Sequence, residues 1–298
     1  MRWHDVVVVH RLHFPLPVNY LCYSFCGACF ATGDYRHLLD PPVLLAAMAN
    51  LLIILSGLAL NTAADIRTDE RQADREQLAN AALRIGRERV FRWAAIEMCC
   101  ALVLATAISQ WTGHLLGTAF AAGAIGLHML YDLEPVRLKR RGFPGPFAFC
   151  AAVHVLPCLL SFTAAGPLFD APVYLIFAGI WILASGRTVW WSVPDRSADA
   201  ATGMRTPPVR YGAVRALAMS CLIMLAGLAG IGWGLWWLYG PVWALLGVTA
   251  HAAFLGNSLL LLRRTAEGAT PSSARMLKRA MPMVSVGDVA LVIIPLIV

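Results

Sequence analysis

An all-α, polytopic membrane bundle is the fold class that this sequence predicts, and three observations carry the prediction. Only 14% of the 298 side chains are charged, 59% are hydrophobic, and the mean hydropathy is +0.65. A soluble domain usually holds about a quarter charged and roughly half apolar residues. Apolar stretches recur along the whole length, each close to the ~20 residues that a spanning helix needs. The basic residues collect in the connections between them. Together these exclude an ordinary soluble enzyme, a disordered chain and a single anchor on a soluble domain.

Nine segments qualify as spans: 14–32, 41–61, 92–111, 113–131, 145–166, 171–191, 213–235, 240–262 and 280–298. No cleavable leader is expected ahead of the first, because His4, Asp5, His10, Arg11 and His13 interrupt the early apolar run. Connections after the second, fourth, sixth and eighth segments are long and basic, whereas those after the third, fifth and seventh are a few residues of Gly, Pro, Thr or Asp. Seven Arg lie between Arg67 and Arg92. The later long loops add Arg137, Lys139, Arg140 and Arg141, then Arg196, Arg205, Arg210 and Arg215, then Arg263, Arg264, Arg275, Lys278 and Arg279. The opposite side offers only Arg36. Such a bias places the N-terminus and the long loops in the cytoplasm and the C-terminus outside, in a cell or inner membrane. Trp111, Trp236, Trp237 and Trp243 then fall near the outer helix ends, where interfacial aromatics belong.

The net charge of +7 is therefore a topology signal, and no nucleic-acid partner is expected. The eight Cys lie almost wholly in apolar segments and read as small packing residues. With lipid outside, helices must associate through close packing of small residues, which the 24 Gly and abundant Ala supply.

The chemistry is concentrated in two acidic clusters. Asn61-Thr-Ala-Ala-Asp65-Ile-Arg-Thr-Asp69 extends the second segment, and its four-residue steps put the three side chains on one slowly drifting helical face. Asp195 and Asp199 repeat the spacing after the sixth segment, four helices later. The echo suggests two related units, around 41–166 and 171–298, within a single domain of 1–298. Four carboxylates and an amide at a membrane cavity require cations, and Mg²⁺ suits them because it takes one or two carboxylates and leaves room for phosphate oxygens. The loops also hold Arg75, Arg137, Lys139, Arg140, Arg141, Arg205 and Arg210; Arg forks bind phosphate bidentately and Lys acts as a point charge, although most of these residues read as positive-inside signals. Lys139 stands out as one of only two Lys against 22 Arg.

These motifs resemble those of the UbiA superfamily of intramembrane prenyltransferases. The first is similar to its Asn-x-x-x-Asp-x-x-x-Asp. The second, Asp195-Arg-Ser-Ala-Asp199-Ala-Ala-Thr-Gly203-Met-Arg205-Thr206, is similar to its second Asp motif and the Gly-x-x-Thr that follows. Between them, Tyr131-Asp132-Leu-Glu-Pro135-Val-Arg137-Leu138-Lys139-Arg-Arg141-Gly142 resembles Tyr-Ser-x-x-Pro-x-Arg-Leu-Lys-x-Arg-Gly.

The resemblance implies a nine-helix bundle with a lateral lipid opening and a cytoplasmic-side active site. Mg²⁺ held by Asn61, Asp65, Asp69, Asp195 and Asp199 would grip a prenyl diphosphate donor. Lys139, Arg137, Arg205 and Arg75 would touch the diphosphate, and Tyr131 would reach the same site. The allylic cation would pass to an aromatic or other nucleophilic acceptor. There are departures: Thr62 stands where many members have an acid, Val193-Pro194 precedes Asp195, and Arg75-Glu76 replaces an Arg-Pro stretch. A membrane terpene cyclase on the same metal site is the alternative chemistry, and a cation transporter is the alternative class. Arg11, His13 and Asn19 are candidates to orient an acceptor, and Glu97, His128, His154 and Arg187 are polar residues inside apolar segments.

Overall fold

The computed structural model describes residues 2–71, 75–166 and 168–298, and among them there is no strand. The chain opens with a short helix α1 (Trp3–Val9) and continues into α2 (Leu16–Thr32), which ends where Gly33 adopts a left-handed φ of 61°. A 3₁₀ turn (Tyr35–Leu39) leads to α3 (Pro41–Asp69), then α4 (Glu76–Ile85), α5 (Arg87–Thr112) and α6 (Leu116–Asp132). After a basic loop come α7 (Pro144–Cys150), a π turn (Ala151–Val155) and α8 (Leu156–Ala165), followed by α9 (Ala171–Trp191). Two short helices, α10 (Arg196–Ala201) and α11 (Pro207–Tyr211), precede the long α12 (Ala213–Tyr239), α13 (Pro241–Ala266) and α14 (Ser273–Ile297).

Each of the nine expected segments coincides with a helix, yet seven are long and apolar enough to cross a membrane. The other two, α2 and α6, have 17 residues each. At 1.5 Å per residue that is about 25 Å, short of the ~30 Å hydrocarbon core. The fifth segment is one apolar rod, Pro144–Ala165, interrupted by its π turn. Pro157 brings no N–H to the turn that precedes it, and a wide turn there relieves the ladder.

Small residues set the contacts between helices, as the composition suggested. A Cβ at Gly227 on α12 would collide with the backbone of Leu183 on α9, so those two helices meet backbone to backbone. Polar groups tie helices where lipid cannot. Asn50 Nδ2 of α3 donates to the Ser24 carbonyl of α2 at 3.1 Å and to the Pro157 carbonyl of α8 at 2.9 Å. Six of the eight Cys are buried and all are free thiols, consistent with packing. Trp111, Trp236 and Trp237 project outward from the ends of α5 and α12 opposite the acidic motifs.

Neither α1 nor the amphipathic α4 had a counterpart in the sequence reading, and they dock on each other beside the acidic end of α3. Arg84 of α4 donates twice to Asp5 Oδ1 of α1, at 2.7 and 3.0 Å. His10, capping α1, stacks at 6.3 Å on Trp93 and meets Glu97 of α5 through Nε2 at 3.0 Å. Burial opposes the His10 charge, but the Glu97 hydrogen bond and the Val6 carbonyl outweigh it, so its pKa lies above the usual 6.5. A raised histidine pKa stabilises the fold fully below the unfolded value, and the contribution fades as pH rises through the folded one. Wild type should therefore exceed Glu97→Gln in thermal stability by about 1 kcal/mol near pH 6. The gap should close by pH 9; a constant gap across that range would contradict the assignment.

Candidate active site

The first motif occupies the last two turns of α3, and the four-residue spacing holds: Asn61, Asp65 and Asp69 are all buried on one face. The second motif is built differently. The helix does not continue from α9, because Val193-Pro194 breaks it; Asp195 caps the short α10, which carries Asp199. The basic loop between α6 and α7 lies between the two motifs, and its 3₁₀ turn presents Lys139 inward, 5% exposed.

Among the described residues, each of Asp65, Asp132, Asp195 and Asp199 is met by a cation or a hydroxyl within hydrogen-bonding distance, and Asp69 is not. Lys139 Nζ lies 2.6 Å from Asp65 Oδ1 and 2.8 Å from Asp132 Oδ1. Arg137 Nη2 adds a third contact to Asp65 at 3.1 Å. Arg75 bridges the motifs, with Nη2 at 2.5 Å from Asp195 and Nη1 at 3.6 Å from Asp69. Asp199 accepts from Thr206 Oγ1 at 2.9 Å. Asn61 donates to Asp65 at 3.0 Å and to Asp132 at 2.8 Å, while its oxygen accepts from Arg11 Nη2 at 2.8 Å. Arg11 and Arg137 reach these groups from left-handed backbone, φ 52° and 38°, a strained conformation of the kind that clusters at functional sites. Tyr131 flanks the pocket, its ring 5.9 Å from Lys139 Nζ and 5.1 Å from the Phe149 ring.

Electrostatics here favour further positive charge. Burial raises the Asp199 carboxyl to about 6; the Thr206 hydrogen bond opposes the rise and the Asp195 and Asp65 charges add to it. Arg75 has its pKa pulled against burial and upward by Asp195 and Asp69. Asp69, 1% exposed, has no hydrogen bond on either carboxylate oxygen among the described residues, and Asp132 Oδ2 is likewise unbonded. Among the described residues, five carboxylates thus face four cations, Arg11, Arg75, Arg137 and Lys139. No three His, Cys, Asp or Glu side chains among the described residues form a ready metal cage. Mg²⁺ does not need one, since it completes its shell with water and phosphate oxygens. The unbonded Asp69 oxygens fit that ion.

Asp132 is the participant that sequence reasoning passed over. It stands where the resembling pattern has Ser, and the signal was a carboxylate seven residues before one of the chain's two lysines. Arg205 is the expected contact that lies apart: its side chain is exposed, and its backbone N–H donates to the Arg140 carbonyl at 3.3 Å. Of the acceptor candidates, Arg11 reaches Asn61, Asn19 lies deeper in the bundle and His13 is exposed.

A model of the UbiA prenyltransferase family matches residues 20–280. The chain belongs to that family. This UbiA protein is 24% identical over 262 residues to the 4-hydroxybenzoate octaprenyltransferase of Pseudomonas entomophila, covering 84% of this chain and 80% of that one. It is 30% identical over 131 residues to the lycopene elongase/hydratase of Halobacterium salinarum, covering 44% and 42%. Its fold superposes on a UbiA homologue from Archaeoglobus fulgidus bound to GPP and Mg²⁺, with a TM-score of 0.68 at 16% identity over 99% of this chain and 100% of that one. This UbiA protein is accordingly an enzyme, a membrane prenyltransferase by family.

The geometry ranks the basic residues. Lys139→Ala strips the ammonium from two buried carboxylates and should cut donor turnover by about 100-fold, as loss of a charge-assisted contact worth about 3 kcal/mol does. Arg205→Ala, at an exposed position, should cost less than about fivefold. Steady-state assays of the two variants check the order, and a reversed order would contradict it.

Proposed function

We propose that this protein is an Mg²⁺-dependent intramembrane prenyltransferase that moves the prenyl group of a polyprenyl diphosphate to an aromatic or other nucleophilic acceptor. The observation that carries the reading is the convergence of two acidic motifs from different halves of the chain on one guanidinium, that of Arg75. The relatives' names and the ligands of the Archaeoglobus fulgidus homologue point the same way. The two halves, 41–166 and 171–298, act as one domain whose site lies where they meet.

In this reading Asp65, Asp69, Asp195 and Asp199 hold Mg²⁺, and Asn61 ligates or orients beside Asp65. Bound there, Mg²⁺ supplies the positive charge that lets diphosphate depart. Arg75, Arg137 and Lys139 bind its oxygens, and Arg205 adds charge at the mouth. Tyr131 and Phe149 offer aromatic faces to the allylic cation, and the bundle excludes water from it. An apolar cavity of about 560 Å³ between α2, the 3₁₀ turn, α3 and α14, bordered by Leu21, Phe25, Leu44 and Val292, opens toward lipid and suits a greasy chain. The long loops and N-terminus face the cytoplasm, the C-terminus faces outward, and α2 and α6 complete nine spans by local bilayer thinning.

The test is detergent-purified protein with geranyl, farnesyl or geranylgeranyl diphosphate, Mg²⁺ and a panel of phenolic and isoprenoid acceptors. Donor consumption should require both Mg²⁺ and an acceptor. Asp65→Ala and Asp195→Ala should each lower it by at least about 1,000-fold, in line with losing about 4 kcal/mol of leaving-group stabilisation. A cyclic hydrocarbon formed without acceptor would identify a cyclase instead, and turnover indifferent to chelation would overturn the metal reading.

A further inference from the structure

A second polar cluster lies within the bundle, built by other residues than those of the acidic motifs. Asp288 of α14, 6% exposed, is its centre. One carboxylate oxygen is fully engaged: Oδ2 accepts from Asn19 Nδ2 and from the Tyr23 hydroxyl of α2, both at 2.7 Å. Ser285 Oγ in turn donates to Asn19 Oδ1 at 2.9 Å, which fixes the amide. The other oxygen is treated differently. Oδ1 faces Arg187 Nη1 of α9 at 3.6 Å and His251 Nε2 of α13 at 3.7 Å, both beyond hydrogen-bonding distance. Arg187 Nη1 and both His251 ring nitrogens are buried without a hydrogen-bond partner among the described residues, as is Nδ1 of the nearby His154.

The asymmetry argues against a mere structural clamp. The same carboxylate closes to 2.7 Å on one side, and the ion pairs of the acidic motifs close to between 2.5 and 3.1 Å, except at Asp69, whose 3.6 Å gap to Arg75 is where an ion fits. A Cβ at Gly287 would overlap the His251 ring, so the imidazole lies directly against α14 beside Asp288. A gap of 3.6–3.7 Å between an acceptor and two donors is closed by one oxygen lying off the line between them, about 2.8 Å from each. In a membrane bundle the groups must be satisfied from within.

Charge narrows the occupant to one chemical class. A carboxylate or phosphate there would meet Asp288, and an ammonium would meet Arg187. An ether or carbonyl oxygen could accept from Arg187 and His251 but has nothing to donate to Oδ1. A hydroxyl does both. We propose that Asp288, Arg187 and His251 form a hydroxyl-binding site that holds the OH group of the acceptor, whether an alcohol or phenol or a water molecule. This rests on the transferase reading above and specifies its acceptor. The apolar cavity borders the same helices: Val292 lies one turn along α14 from Asp288, and Cys22 precedes Tyr23 on α2.

The test compares hydroxylated probes with their methyl ethers. Full-length protein in detergent is equilibrated, without donor, with 1-naphthol and geraniol, each against its ether. In wild type at least one alcohol should bind tenfold or more tightly than its ether, and in Asp288→Asn and Arg187→Met that preference should fall to within twofold. Equal affinities for both pairs in wild type would overturn the site, and this comparison stands even where a variant fails to fold. Turnover with geranyl diphosphate in ¹⁸O-water separates the sources. A labelled prenyl alcohol that declines in Asp288→Asn assigns the hydroxyl to water, a prenylated probe that declines assigns it to an acceptor, and yields unchanged in that variant overturn the proposal. Mg²⁺-dependent binding of geranyl diphosphate is measured in parallel, so that its absence in wild type counts against the donor reading and not against the hydroxyl site.

Discussion

The repulsion among carboxylates gathered at the acidic end of the bundle is the constraint on which the rest of this structure depends. Asp65, Asp69, Asp132, Asp195 and Asp199 come from three separate stretches of chain, and beneath them is a low-dielectric slab that screens nothing. Two unit charges 4 Å apart interact by about 4 kcal/mol at an effective dielectric of 20. Cations must therefore be built in, and Lys139 and Arg75 are placed where each serves two acids at once. That explains why an extended basic loop folds inward between α6 and α7. The buried charges would otherwise cost several kcal/mol each.

The same constraint connects fold to chemistry. A bundle held by Gly-lined backbone contacts, such as that of Gly227 with α9, can be rigid without filling its centre with large side chains. Rigidity keeps the two motifs within reach of one guanidinium, and the unfilled space admits a greasy substrate. In the proposed reaction the charged end of the molecule would receive the diphosphate from water, and the aromatic and aliphatic walls below would shelter the carbocation until its capture. The Asp288 cluster is a polar island in that apolar interior, and the hydroxyl proposed there would satisfy its unbonded nitrogens.

Much of this was legible in the sequence. The helical stretches followed from hydropathy alone, and the Asn61-Asp65-Asp69 face followed from helical periodicity because α3 runs unbroken to Asp69. The second motif was legible as a pattern but not as a shape, since Pro194 ends the helix and leaves Asp195 at a cap. The docked α1 and α4 escaped notice because their anchors, Asp5 with Arg84 and His10 with Glu97, are pairs of polar residues far apart in the chain. Periodicity carries no information about such pairs. Asp132, Tyr23, His251 and Asp288 were missed for the same reason. Asn19 was flagged as a candidate to orient an acceptor, and His154 and Arg187 as intramembrane polar groups, but their partners lie on other helices, and only the fold brings them together.

The central claim is that the two acidic motifs jointly hold divalent cations on a diphosphate. The most direct measurement is a crystal structure with Mn²⁺ and a non-hydrolysable geranyl thiolodiphosphate, read by anomalous scattering. The account predicts metal peaks bound to Asp65 or Asp69 on one side and to Asp195 or Asp199 on the other, with the diphosphate between them and touching Lys139. Diphosphate bound by Arg and Lys alone, with no metal peak at either motif, would contradict it.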